Sequence, residues 1–199
     1  MPIERKDCAA VILAGGLSRR MGRCKATLLL DGETMLQRTA RCLDGFPELL
    51  ISANDPALGD ERGRVVPDEY PGQGPMAGLH AVMGATEKTA VLCLPCDLPF
   101  FTVEAVERLL REYGGEDALV LTDSTGRVHP LCGIYACSLR PRMGEMLEAG
   151  ERRILELLRR TESRFLSPGS GISDRVFLNM NTPEEYAAVI GGGISDRLK

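Results

Sequence analysis

In the first half of the chain, apolar residues fall in short unbroken runs that alternate with segments of helical spacing, and glycine or proline stops most runs. Cys8-Ala-Ala-Val-Ile-Leu13 ends at Gly15-Gly16, as expected of a strand buried on both faces. A helical pattern begins near Thr34 and carries Met35, Leu36, Ala40 and Leu43. Leu49 to Ser52 reads as a second strand, closed by Asn54-Asp-Pro56, and Arg64 to Val66 as a weaker third, closed by Pro67. The Gly/Pro loop Pro71 to Pro75 leads into a helix over Met76 to Ala85. Ala90 to Leu94 is another buried strand, ended by Pro95. Val103 to Tyr113 reads as a helix, with Thr102 as N-cap and Glu104 in the first turn. Asp117 to Leu121 completes this half as a strand.

Strand and helix in alternation predict a three-layer α/β domain with a mostly parallel sheet. Right-handed crossovers would set every strand-to-helix loop at one sheet edge, where ligands bind in such folds. The loops after Leu13, Ser52, Val66 and Leu94 are therefore expected to converge. The second half is less regular. Leu131 to Ala136 suggests a strand, Ser138 to Ala149 a helix, Arg152 to Arg160 a short helix and Val176 to Leu178 a last strand. Thr182-Pro-Glu-Glu185 opens a helix with proline in its first turn. Gly191-Gly-Gly193 ends order, giving one domain over 1–190 and a loose tail over 191–199.

Composition narrows the function classes. The chain has 199 residues, 44% hydrophobic and 26% charged, with a formal net charge of -4. Such a balance argues against non-specific nucleic-acid binding, so any anion site must be local. No apolar run reaches the ~20 residues needed to span a bilayer, and the N-terminus lacks the apolar region of a secretory signal. Seven cysteines in irregular spacing suit free thiols in a reduced, cytoplasmic protein. Cys93-x-x-Cys96 lacks a well-spaced second pair for zinc, since Cys132-x4-Cys137 fits poorly.

The local charge lies in Leu13-Ala-Gly-Gly-Leu-Ser-Arg-Arg-Met-Gly-Arg-Cys-Lys25. It is not a Walker A loop, because Cys24 rather than glycine precedes Lys25. It is not a dinucleotide turn, because Gly15-Gly16 is followed only by Gly22. Its chemistry is still that of phosphate binding. Glycines after a strand bring backbone N–H groups close to phosphate oxygens. Ser18 adds a donor, and Arg19, Arg20, Arg23 and Lys25 add charge. Only four of the 24 basic residues are lysines, so Lys25 in an arginine-rich loop suggests a compact point charge. Asp97, just after the Ala90 to Leu94 strand and bracketed by Pro95 and Pro99, stands at the same expected edge. A single carboxylate there can hold Mg2+ against a triphosphate.

The segment Leu13-Ala-Gly-Gly-x-Ser-Arg-Arg-Met-Gly-x-x-Lys25 resembles the signature of the molybdenum cofactor guanylyltransferases, within a wider group of Rossmann-like nucleotidyltransferases. The resemblance extends through Ile51-Ser-Ala-Asn54, Pro67-Asp68, Gly72-x-Gly-Pro-x-Ala-Gly78, Pro95-Cys-Asp-x-Pro99, His129-Pro-Leu131 and Asn179-x-Asn-Thr-Pro-Glu184. One departure is Cys24, where the family commonly carries aspartate. The resemblance implies transfer of GMP from GTP to the terminal phosphate of molybdopterin, with release of pyrophosphate and Mg2+ as cofactor. Handover of the product to molybdoenzymes or their chaperones would follow.

It also implies roles for residues. Lys25, Arg19 and Asp97 would be catalytic, with Asp97 the metal ligand. Leu13, Ala14, Gly15, Gly16, Lys25, Asn54, Asp68 and Asp97 would bind nucleotide, Asn54 and Asp68 at the nucleoside. Asn179 and Asn181 would bind the pterin or its phosphate. His129 lies in a loop near the acceptor, as an acceptor ligand or as a structural bond, and His80 inside a helix reads as structural. The same chemistry with CTP or another phosphorylated acceptor, and a non-catalytic nucleotide-binding protein, are the alternatives.

Overall fold

Six consecutive apolar residues, all buried, make β1 (Cys8–Leu13) the centre of the molecule. The computed structural model describes residues 2–15, 24–59, 61–167, 169 and 172–180. Gly16, Arg19, the other basic residues of the loop up to Arg23, Asn181, the helix expected after Thr182 and the tail expected over 191–199 lie outside them.

After β1 come a two-residue pair, β2 (Leu29–Leu30) and β3 (Glu33–Thr34), then α1 (Met35–Cys42), β4 (Leu49–Ser52), β5 (Arg64–Val66) and α2 (Pro75–Gly84). β6 (Ala90–Pro95), α3 (Val103–Glu112), β7 (Ala118–Thr122) and β8 (Val128–Ala136) follow, then α4 (Arg140–Glu148), α5 (Ile154–Arg159) and β9 (Ser163–Leu166). The main sheet runs β5-β4-β1-β6-β8-β7-β9. Every neighbour pair is parallel except those made by β8, which is antiparallel to both β6 and β7.

Period-two alternation divides the core. Ala10, Ile12, Ile51, Leu92 and Leu94 face the layer of α1 and α3. Ala9, Val11, Leu13, Leu50, Val91 and Cys93 face α2, α4 and α5. The helices present matching stripes: α3 buries Ala105, Val106, Leu109 and Leu110 and leaves Glu104 in its first turn. Caps fix their starts. Thr34 and Gln37 form a reciprocal capping box on α1, and the Thr102 hydroxyl accepts from the Ala105 N–H at 3.4 Å on α3.

Register decides where the strands end. Leu13 is level with Ser52 of β4 and with Pro95 of β6, and Ser52 is level with Val66 of β5. The four loops expected to converge therefore leave the sheet in one row.

The second half departs from expectation in three places. β8 begins at Val128 rather than Leu131, and past an irregularity between Val120 and Leu121 its pairing with β7 resumes at His129 and Val128. β9 joins the edge of the sheet from a segment with no apolar run. Val176 to Leu178 is not a strand. Ser173 caps a 3-10 turn over Asp174–Phe177, and Val176 and Phe177 bury as a knob on the core instead of pairing in the sheet. The β2–β3 pair was also unexpected, although its Asp31-Gly32 turn, with φ of 53° and 83°, is a strong hairpin signal.

Gly133 shows how tightly β8 is inserted. A Cβ there would lie 2.4 Å from the Leu119 carbonyl oxygen and 2.7 Å from Val120 Cγ1. The nearest atom is backbone in the paired strand, so relief means parting the ladder. Gly133→Ala is expected to cost about 1–3 kcal/mol or more, read as a lower urea midpoint at unchanged slope.

Candidate active site

The row of strand ends is tied together by backbone bonds. The Ala14 N–H donates to the Ser52 carbonyl at 3.0 Å, the Cys96 N–H to the Leu13 carbonyl at 3.1 Å, and the Ala53 N–H to the Val66 carbonyl at 3.2 Å. Leu13 and Ala14 are buried and Gly15 is exposed. The Leu13 carbonyl and the Ala14 N–H are taken up by these bonds, while Gly15 opens the loop to solvent.

Across this row, Lys25 Nζ lies 2.9 Å from Asp97 Oδ2, with 19% and 21% of the two side chains exposed. Lys25 belongs to the segment after β1, and Asp97 to the turn after its neighbour β6. Asp97 is fixed by the turn after Pro95, and its carbonyl accepts the Met180 N–H at 3.0 Å. Lys25 opens a 3-10 turn whose cap residue, Cys24, makes no side-chain bond to it. The turn is closed instead by the Thr27 hydroxyl on the Cys24 carbonyl, at 3.0 Å. The departure at Cys24 thus leaves Lys25 in place and oriented on Asp97. The Cys24 side chain packs on the core. Neighbouring Cys96 is buried, which pushes its thiol up to about 12, with the Asp97 charge adding to the rise.

A second pair closes the next two loops. The Asn54 amide donates to Asp68 Oδ2 at 3.3 Å, and the Asp68 N–H donates to Asn54 Oδ1 at 3.0 Å. Partial burial raises the Asp68 carboxyl above its ordinary value, with the Asn54 bond pulling it down. This clasp pins the loop after β4 to the loop after β5. Beyond it, Gly72 and Gly74 take φ of 75° and 79°, with open space where a Cβ would stand. Gly78 belongs elsewhere. It lies inside α2, where a Cβ would be 2.2 Å from Ser52 Oγ. Its role is close helix–strand packing, which glycine spacing alone did not separate from loop freedom. Gln73, between the two open glycines, carries a buried Oε1 without a hydrogen-bond partner among the described residues.

Asn179 is exposed and precedes Met180, so it stands beside the Asp97 turn. His129 lies in β8. Its Nε2 is 3.3 Å from Asp123 Oδ2, and its ring stacks on Phe177 at 3.9 Å. His80 is buried in α2 against Tyr70, and burial lowers its pKa.

Residues 10–164 match the family model described as the MobA-like NTP transferase domain. The chain belongs to this family. It is 36% identical over 182 residues to a molybdenum cofactor guanylyltransferase of Shewanella baltica, covering 88% of this chain and 92% of the relative. It is 34% identical over 195 residues to one from Rhizobium leguminosarum bv. trifolii, covering 93% and 92%. A solved structure of molybdopterin-guanine dinucleotide biosynthesis protein A from Archaeoglobus fulgidus is similar in fold, with a TM-score of 0.79 at 23% identity, covering 94% of this chain and 99% of that one. A 2-C-methyl-D-erythritol 4-phosphate cytidylyltransferase from Thermus thermophilus shares the fold at a TM-score of 0.67 and 16% identity, over 92% and 97% of the chains. As a MobA-like NTP transferase the chain is a nucleotidyltransferase of molybdenum cofactor biosynthesis. Among the described residues no helix is long and apolar enough to cross a membrane.

Proposed function

We propose that this nucleotidyltransferase transfers GMP from GTP to molybdopterin. An oxygen of the acceptor's terminal phosphate bonds to the α-phosphorus of GTP, the bond from that phosphorus to the bridging oxygen breaks, and pyrophosphate leaves. The observation that carries the chemistry is the Lys25–Asp97 pair, a cation and a carboxylate 2.9 Å apart at the end of the central strands. The substrate identities are supported by the relatives named above.

The donor set suits Mg2+. Asp97 offers one partly exposed hard oxygen ligand, and no group of three or more His, Cys, Asp or Glu converges among the described residues. Mg2+ typically takes one or two carboxylates plus substrate phosphates rather than an all-protein cage. Bound there, it would neutralise charge on the phosphates of the nucleotide. Lys25 would carry part of the charge developing on the α-phosphate and leaving pyrophosphate, with Arg19 assigned the same task by resemblance. The acceptor phosphate is already largely ionised at neutral pH, so positioning and charge neutralisation suffice without a general base.

Leu13, Ala14, Gly15 and Gly16 would meet the nucleotide through backbone groups, and the Asn54–Asp68 clasp would face its nucleoside. Asn179 and Asn181 would hold the acceptor. Handover to molybdoenzymes or their chaperones is the proposed next step. The cytoplasm is the proposed setting, one that suits seven free thiols.

GTP with Mg2+ is expected to raise the melting temperature more than CTP with Mg2+, since only a ligand of the native state stabilises it. GTP, Mg2+ and molybdopterin together are expected to release pyrophosphate. Release with CTP but not GTP would move the reading to a cytidylyltransferase. Binding of GTP without release under any acceptor would make the chain a carrier instead.

A further inference from the structure

Residues 172–180 cross from the β7–β8 hairpin to the Asp97 turn and are anchored along the way. Asp174 accepts the Ser124 N–H at 2.9 Å and the Ser124 hydroxyl. The Arg175 guanidinium lies 4.0 Å over the ring of Phe100, three residues past Asp97. The Phe177 ring lies face to face on His129, with centroids 3.9 Å apart and planes within 8°. Met180 then donates its N–H to the Asp97 carbonyl at 3.0 Å and buries its side chain with Leu30 and Met35.

His129 is itself held rigidly. Asp123 receives its Nε2 and also accepts the Thr125 hydroxyl at 2.6 Å and N–H at 2.9 Å, and the Arg127 N–H at 3.0 Å. These bonds, the Thr125 hydroxyl first, hold the Asp123 carboxyl down to about 2. One edge of the imidazole is thus engaged and one face covered, and 17% of the side chain remains exposed.

We propose that His129 is a positioning residue for the acceptor site, and that it acts through Phe177 on Asn179. Phe177 and Met180 are both pinned, one on His129 and one on Asp97, and only Leu178 and Asn179 lie between them. Three residues of chain span at most ~10 Å, so two anchors that close leave the Asn179 backbone little freedom. The stack therefore fixes Asn179 beside Asp97. This rests on the reading that Asn179 meets the acceptor, whereas the anchoring itself does not.

The test compares His129→Ala, His129→Asn and His129→Phe. Alanine removes the stack, asparagine retains a hydrogen-bonding group without the ring, and phenylalanine retains the stack without ring nitrogens. Alanine and asparagine are expected to raise KM for molybdopterin about tenfold, as loss of an aromatic contact allows, with KM for GTP unchanged. Phenylalanine is expected to restore most of it. A KM as poor with phenylalanine as with alanine would overturn the proposal and make the imidazole a direct ligand, and a matching rise in the GTP KM would overturn it too. Amide exchange at Met180, read by NMR, gives an answer independent of any substrate. It should speed up in His129→Ala and return to normal in His129→Phe; unchanged exchange in His129→Ala refutes the anchoring even if the acceptor proves to be another molecule. Should His129→Ala fail to fold, Phe177→Ala and Phe177→Tyr make the same comparison from the other ring of the stack.

Discussion

Replacing Lys25 with alanine is expected to lower the rate of nucleotidyl transfer by roughly 100- to 1,000-fold, the usual loss when one preorganised donor to transition-state charge is removed, and to leave the fold standing. The two effects separate because of where the pair sits. About a fifth of each side chain reaches solvent, 19% for Lys25 and 21% for Asp97. Asp97 can therefore rehydrate when its partner is lost, and the cost in stability should be about 1 kcal/mol or less. The transferring phosphate has no such substitute for a fixed cation. The loss should appear equally in kcat and in kcat/KM for GTP, as it does when an interaction is made only in the transition state. Lys25→Arg should rescue little, since a planar fork does not replace a compact point charge. A rate within threefold of the native enzyme, with a native melting curve, would remove Lys25 from the chemistry.

How much of this was legible in the sequence depended on how local the cause was. β1 was legible because both its faces are buried, so six apolar residues stand in a row and glycine ends them. The same logic found β4 and β6, the turn at Pro67 marked the weaker edge strand β5, and the handedness of crossovers gave the edge on which they end. Asp97 and the Asn54–Asp68 loops could then be placed before any contact was known. β9 was not legible. Its Ser163-Arg-Phe-Leu166 is an edge strand with Arg164 and Phe165 exposed, and it lacks the alternation that marks a half-buried strand. Val176 to Leu178 misled in the opposite sense. Its apolar run reads as a strand, yet the Ser173 cap and the stack of Phe177 on His129 decide its conformation, and the partner lies nearly fifty residues away.

Gly78 and Cys24 mark a second kind of limit. Gly78 shares a motif with Gly72 and Gly74, but those two sit at positive φ in open space while Gly78 packs on Ser52. Identical residues at neighbouring positions thus serve backbone freedom in one case and steric clearance in the other. Cys24 stands where the resemblance leads one to expect aspartate. Cys24 makes no side-chain cap bond, and the Thr27 hydroxyl three residues downstream instead donates to the Cys24 carbonyl. With cysteine at that position, Lys25 Nζ still lies 2.9 Å from Asp97 Oδ2.

Asp97→Asn should abolish most turnover and with it the dependence of rate on Mg2+. Asparagine keeps the size of the side chain and one oxygen acceptor. It also keeps the backbone bonds that place the turn, Cys96 N–H to Leu13 and Met180 N–H to Asp97. What it removes is the charge, and with it both the anionic ligand that Mg2+ prefers and the counter-ion of Lys25. A thousandfold loss or more is expected, of the order found when a group that organises charge in the transition state is deleted. Binding of Mn2+ in the presence of GTP, followed by electron paramagnetic resonance, should weaken in parallel, which ties the loss to the metal rather than to a disturbed turn. Full activity at ordinary Mg2+ would show that the carboxylate does not hold the ion. The double variant Lys25→Ala/Asp97→Asn should be little worse than Asp97→Asn alone. Two groups that work as one unit do not lose their contributions twice, and a fully additive loss would mean that the contact between them has no part in the reaction.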